Sequence, residues 1–146
     1  MLPILKSIFS EWPIAAPILV AMSVAVSVAD ASAASVTKAF SIAVSAPALP
    51  GAFNKSAPAN NATGRSRTSL ALSWAASTNA TRYEYCVDTI NDNVCNATWI
   101  STGTGRTVTI GGLGSLTAYY WQVRAVNAVG TTLANTGTWW KFTTAR

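Results

Sequence analysis

Histidine is absent from this chain, and only five acidic residues stand against ten lysines and arginines in 146. No Ser–His–Asp or Cys–His constellation can be assembled, and metal centres that need imidazole are excluded with it. Beyond residue 33 the acids are Glu84, Asp88 and Asp92. Glu84 and Asp88 share one face of an extended segment. Four residues at about 3.3 Å each set their Cα atoms roughly 13 Å apart, too far for a glycosidase carboxylate pair. They are expected as solvated partners of Arg82, Arg124 or Arg106 on an outer sheet face. Gly111-Gly112-Leu113-Gly114 lacks the Lys and the following helix of a phosphate-cradling loop. The chain is therefore expected not to be an enzyme and to carry no cofactor. Asp88, Asn91, Asp92 and Asn93 could be weighed as calcium ligands, but Asp and Asn form turns through Asx hydrogen bonds, so no metal is expected.

Runs of one charge are missing as well. The net charge of +5 comes from basic residues scattered singly, among them Lys55, Arg65, Arg67, Arg106, Arg124 and Lys141. They read as a solvated cationic surface and exclude a nucleic-acid stripe. Cysteine is limited to Cys86 and Cys95, nine positions apart around the turn at 90–93. The spacing is not C-x-x-C and predicts a hairpin disulfide, formed in an oxidising compartment; two reduced structural thiols are the alternative. By alternation Cys86 lies outside the inward set and should staple two neighbouring strands from the outer face.

The N-terminal third is apolar from 13 to 29 after a single Lys6, and it ends in Ala29-Asp30-Ala31-Ser32-Ala33-Ala34. This is the anatomy of a signal peptide over 1–33, with Ala31-Ser32-Ala33 or Ala29-Asp30-Ala31 as the cleavage site. A membrane anchor left uncleaved is a second reading, because 17 residues approach a spanning length. In a third reading the stretch from Val24 to Val44 resembles the closing β-hairpin of cadherin-like and immunoglobulin-like repeats of bacterial surface proteins. Val36, Phe40, Ile42 and Val44 would then line one strand face. From 34 to 57 an extended Pro/Ala/Ser linker with a short strand follows, in which Pro47 and Pro50 bar ladder hydrogen bonds at their own nitrogens. Phe53, its only aromatic residue past 45, should dock on what comes next.

What is abundant is period-two alternation. Leu70, Leu72 and Trp74, then Tyr83, Tyr85 and Val87, then Tyr119, Trp121, Val123 and Ala125 each mark a strand with one buried face. Turn residues separate them, at 77–79, 91–93, 103–105, 111–112, 127–130 and 135–137. In the last segment Trp140 and Phe142 should face inward, with Trp139 and Lys141 outward. An all-β sandwich over 58–146 follows.

Ser69-Leu70-Ala71-Leu72-Ser73-Trp74 resembles strand B of a fibronectin type III domain. The stretch 113–127, LGSLTAYYWQVRAVN, resembles that family's E–F corner and strand F. The resemblance runs from about 58 to 144 and suggests a domain of a bacterial secreted or surface protein. It implies a seven-stranded Greek-key sandwich, with a sheet C′-C-F-G facing a sheet A-B-E. It also implies a structural core of Trp74, Tyr83, Leu113, Tyr119, Trp121 and Val123, with the Tyr119 hydroxyl bonding back to the backbone near Leu113. Leu116 stands where the family has Gly or Pro. No Arg-Gly-Asp tripeptide occurs, so integrin-type recognition does not carry over.

Two functions are consistent with this inventory. One is an extracellular, non-catalytic module that spaces other domains or contacts a partner protein on the cell surface. The other is carbohydrate binding, with outward Trp99, Tyr120 and Trp139 as stacking platforms. The partner, protein or glycan, is not encoded in any motif, and a membrane enters only through an uncleaved N-terminal segment. Asn54, Asn61, Asn79 and Asn96 open N-x-S/T sequons, which matter only in a cell that glycosylates Asn.

Overall fold

In the computed structural model, residues 21–29, 35–43 and 46–146 are described, the first two stretches as backbone. The chain divides into two units, Met1–Pro47 and Ala48–Arg146. In the first, β1 (Ala21–Ala29) and β2 (Ser35–Ala43) form an antiparallel hairpin whose register sets Met22 opposite Ile42, Val24 opposite Phe40 and Val28 opposite Val36. Residues 1–20 of the expected leader, and 30–34 with the Ala31-Ser32-Ala33 cleavage candidate, lie outside the described residues.

The second unit contains β3 (Lys55–Ala57), β4 (Ala62–Arg65), β5 (Leu70–Trp74), β6 (Arg82–Asp88), β7 (Ile100–Gly103), β8 (Thr107–Ile110), β9 (Ala118–Val126), β10 (Thr131–Leu133) and β11 (Trp140–Thr144). One sheet runs β3-β5-β8; the other runs β4-β11-β9-β6-β7, with β10 also on β9. This is a two-sheet sandwich of fibronectin type III-like topology, and the alternating runs read from the sequence are its central strands β5, β6 and β9. Leu72, Trp121, Val123 and Phe142 have no exposed surface between the layers, and Trp74, Tyr83 and Tyr85 are buried with them. Phe53 closes the end of this core, edge-on to Tyr83 at 5.7 Å between centroids. Such ring burial removes large apolar area from water at roughly 25 cal/mol per Å².

Two features depart from the seven-strand expectation. The first strand splits: β3 pairs with β5, and after Pro58 the chain crosses to the other sheet, where β4 runs parallel to β11. Proline ends the first ladder because it has no N–H to donate. The last strand also breaks, into β10 and β11, around a 3₁₀ excursion at Ala134–Gly137 in which Asn135, Thr136 and Gly137 all have positive φ, 52°, 52° and 88°. The excursion leaves a gap in the ladder beside β9, and the side chain of Gln122 fills it. Its Oε1 accepts from the Val123 N–H at 2.8 Å and its Nε2 donates to the Thr138 carbonyl at 3.0 Å.

Backbone hydrogen bonds fix where the unit is entered and left. The Ala48 carbonyl accepts from Asn127 Nδ2 and the Gly51 N–H donates to the Thr78 carbonyl, beside the β5–β6 and β9–β10 turns. At the other end Ala145 N–H donates to the Arg65 carbonyl and Leu116 N–H to the Ala145 carbonyl, beside the β4–β5 and β8–β9 turns. Strand β9 runs from the second place to the first, so the two poles are about 27 Å apart at about 3.4 Å per residue.

Candidate functional site

The outer face of the larger sheet carries the residues singled out for ligand contact. Trp99, Tyr120 and Trp139 are all half-buried. Trp99 and Trp139 lie 6.4 Å apart between centroids with their planes inclined at 56°, and the Arg124 guanidinium covers Trp99 at 4.4 Å. A tilted pair with one ring capped by a cation is not a flat platform. Arg124 in turn reaches Glu84, 2.6 Å between Nη2 and Oε2, while Arg82 Nε donates to the other carboxylate oxygen at 3.0 Å.

The expectation of a solvated Glu84 is therefore corrected: it is only 8% exposed, because two arginines from β6 and β9 close over it. Burial pushes its carboxyl up, but hydrogen bonds from Arg82 and Arg124 and their charges outweigh that, holding it below the ordinary value.

Cys86 and Cys95 form a disulfide. The outer-face staple between two strands needs correction, since β7 begins only at Ile100 and the bridge ties β6 to the 89–99 loop. Cys86 is fully buried beneath that loop. The loop is built by its own acids. Asp88 accepts from the Ile90 and Asn96 N–H groups, and Asp92 from the Val94 N–H and Asn96 Nδ2. The Asn96 amide, then the Val94 N–H, hold the Asp92 carboxyl below its usual range. Both carboxylates are thus spent on the turn, and no group of three His, Cys, Asp or Glu converges among the described residues.

Lys55, read from sequence as part of the solvated surface, is 4% exposed. Its Nζ donates to Gln122 Oε1 at 2.8 Å and to the Thr138 carbonyl at 2.6 Å, and it lies 5.5 and 5.4 Å from the ring centroids of Trp121 and Trp140. Its backbone N–H donates to Asn135 Oδ1, so both ends of the residue hold the excursion. Among the described residues no carboxylate neutralises the amine, and burial pulls it down to about 7. The missed signal was parity: Phe53 and Lys55 are two apart in an extended segment and so face the same way.

Of the residues assigned to the core, Trp74, Tyr83, Trp121 and Val123 lie between the sheets, while Leu113 and Tyr119 are half-buried at its rim. Tyr119 stacks on Phe142 at 5.4 Å, and its hydroxyl accepts from the Gly114 N–H at 2.8 Å. Leu116, with φ 49°, is 61% exposed at that corner.

No family model and no curated protein matches the chain. Solved structures similar to it include the crystal structure of FN3tt, 19% identical, with 66% of this chain and 97% of that one covered and a TM-score of 0.44. The sixth fibronectin type III domain of human fibronectin type III domain containing protein 3 is 18% identical over 72% of this chain and 92% of that one, TM-score 0.45. The chicken CNTN1 FN1-FN3 domains are 16% identical, covering 89% of this chain and 44% of that one, TM-score 0.48.

Proposed function

We propose that Ala48–Arg146 is a non-catalytic extracellular module that spaces or presents what is attached to it, making contact with partners at its ends. The observation that carries this is the placement of Ala48 and Ala145 at opposite poles, so that anything joined through them would extend instead of folding back. The spent carboxylates and the absence of His support a role without chemistry, and the disulfide supports an oxidising compartment. Carbohydrate stacking on Trp99, Tyr120 and Trp139 has less support, because Trp99 and Trp139 diverge and Arg124 occupies Trp99.

The reading is tested by pulsed electron paramagnetic resonance on the full chain, with spin labels on non-natural residues at positions 48 and 146 that leave the disulfide intact. A narrow distribution centred near 30 Å is expected, the pole separation plus label arms. A broad distribution, or one centred below about 15 Å, rejects the spacer.

A further inference from the structure

Arg65 and Arg67 lie about 80 positions from Arg146 in the sequence, yet the fold gathers all three at the downstream pole. Ala145 N–H donates to the Arg65 carbonyl at 2.9 Å, Leu113 N–H donates to the Arg67 carbonyl at 3.0 Å, and Arg67 Nε returns a bond to the Leu113 carbonyl at 3.3 Å. All three arginines are exposed, and neither ion pair among the described residues involves them. Asp88 and Asp92 lie at the same end, since β6 finishes there opposite Tyr120; Asp92 is exposed, and both carboxylates accept hydrogen bonds within their own loop, leaving three arginines against two acids at this pole.

The same pole also presents aliphatic side chains to water. Leu116 is 61% exposed, and Ile90 and Val94 in the 89–99 loop are 53% and 56% exposed. Leu116 pays twice, in hydration and in a left-handed backbone (φ 49°) that glycine would adopt without strain. Scattered exposed aliphatics are ordinary; three on loop tips at the end that also gathers three arginines outside the ion pairs of the described residues are a specific combination. A soluble polyanion would use the arginines and gain nothing from the aliphatics, whereas an anionic bilayer uses both.

We propose that the downstream pole docks on an anionic lipid surface, with Leu116, Ile90 and Val94 entering the headgroup layer and Arg65, Arg67 and Arg146 meeting lipid phosphates. Docking through this pole stands the module upright on a membrane and is independent of the spacer role.

The test is co-sedimentation of the full chain with phosphatidylcholine vesicles and with vesicles containing one quarter phosphatidylserine, in about 0.1 M salt. Binding should require the anionic lipid and weaken as salt rises. Arg65→Gln with Arg67→Gln should lower the partition coefficient about tenfold or more. Leu116→Gly should lower it about threefold or more while leaving the urea midpoint unchanged or higher, since glycine relieves the backbone. That opposition of signs separates docking from loss of fold. Equal binding to both vesicle types, or insensitivity to these variants, would trace attachment to elsewhere in the chain and overturn the proposal. So would binding that follows the arginines, ignores Leu116 and is matched by soluble polyphosphate.

Discussion

Lys55 makes stability rise with pH, the same direction as a salt-bridged carboxylate but in a neutral-to-alkaline window where carboxylates no longer titrate. Its amine titrates near 10.5 in the unfolded chain and at about 7 in the folded one. Below pH 7 both states carry the proton, and the fold bears the full cost of a buried ammonium. Between 7 and 10.5 the unfolded chain binds more protons than the native one, so stability rises with pH; above 10.5 the gain is complete. The 3.5-unit difference between those values corresponds to about 5 kcal/mol at 1.36 kcal/mol per unit. The rings of Trp121 and Trp140 favour the charged form, by about 0.5–2 kcal/mol for such contacts, and trim the swing towards about 3.

Replacing the lysine isolates the effect. Lys55→Met keeps the stem that fills the space between Trp121 and Trp140 and removes the amine. Neither acceptor is orphaned, because Gln122 Oε1 keeps the Val123 N–H and the Thr138 carbonyl keeps Gln122 Nε2. Removing a buried charge while leaving its partners satisfied is the circumstance in which an apolar replacement stabilises. Urea unfolding followed by tryptophan fluorescence at pH 6, 7, 8, 9 and 10 is the assay. Wild type should gain roughly 2–4 kcal/mol between pH 6 and 10, while the variant should be flat over that range and more stable than wild type at pH 6. A flat or falling wild-type profile, or a variant that keeps the slope, would refute the reasoning.

Substituting both Cys86 and Cys95 with Ala should cost about 2.5–3 kcal/mol for a loop of about ten residues on the chain-entropy model, with a further loss from the space left at buried Cys86. An unchanged urea midpoint in the double variant counts against the bridge as a stabilising element. Glu84→Gln should remove the acid limb of the stability profile that this residue supplies. The folded carboxyl sits below its ordinary value, so its contribution is complete above the unfolded pKa of 4.5 and is lost as pH falls through the depressed one. Thermal melts from pH 6 down to 3 should show wild type losing more stability than the variant; parallel curves would dismiss the double arginine clasp.

Alternation made β5, β6 and β9 legible because period two couples directly to burial in a sandwich, and Leu72, Tyr83 and Trp121 occupy the positions it assigns. Parity says which way a side chain leaves the strand, and it does not say what it meets. For Lys55, parity with Phe53 gives the inward direction but not the partners: Gln122, Thr138 and Trp140 lie 67 to 85 positions downstream, and no local pattern announces them. The turn residues at 135–137 were visible, yet alternation through Trp140 and Phe142 concealed that they interrupt a strand. The three polar arginines of the downstream end are drawn from both ends of the unit, and only the β4–β11 pairing unites them.

The same limit on parity bears on where this module can meet a partner. Glu84 and Cys86 on β6 and Gln122 on β9 all leave their strands away from the core, and all three are buried. Each is covered by a different device: the Arg82 and Arg124 clasp backed by Trp99, the disulfide-tethered loop, and the excursion between β10 and β11. The outer face of the larger sheet is therefore largely sealed by a partial third layer, and it offers little open surface for stacking. Exposed aliphatics lie at the poles instead, Leu49 and Val129 at one end and Leu116, Ile90 and Val94 at the other. The downstream pole gathers three exposed arginines outside the ion pairs of the described residues, whereas the upstream pole carries one, Arg106 in the β7–β8 turn. The two ends thus differ in degree of charge, three such arginines beside Leu116, Ile90 and Val94 at one and a single one beside Leu49 and Val129 at the other.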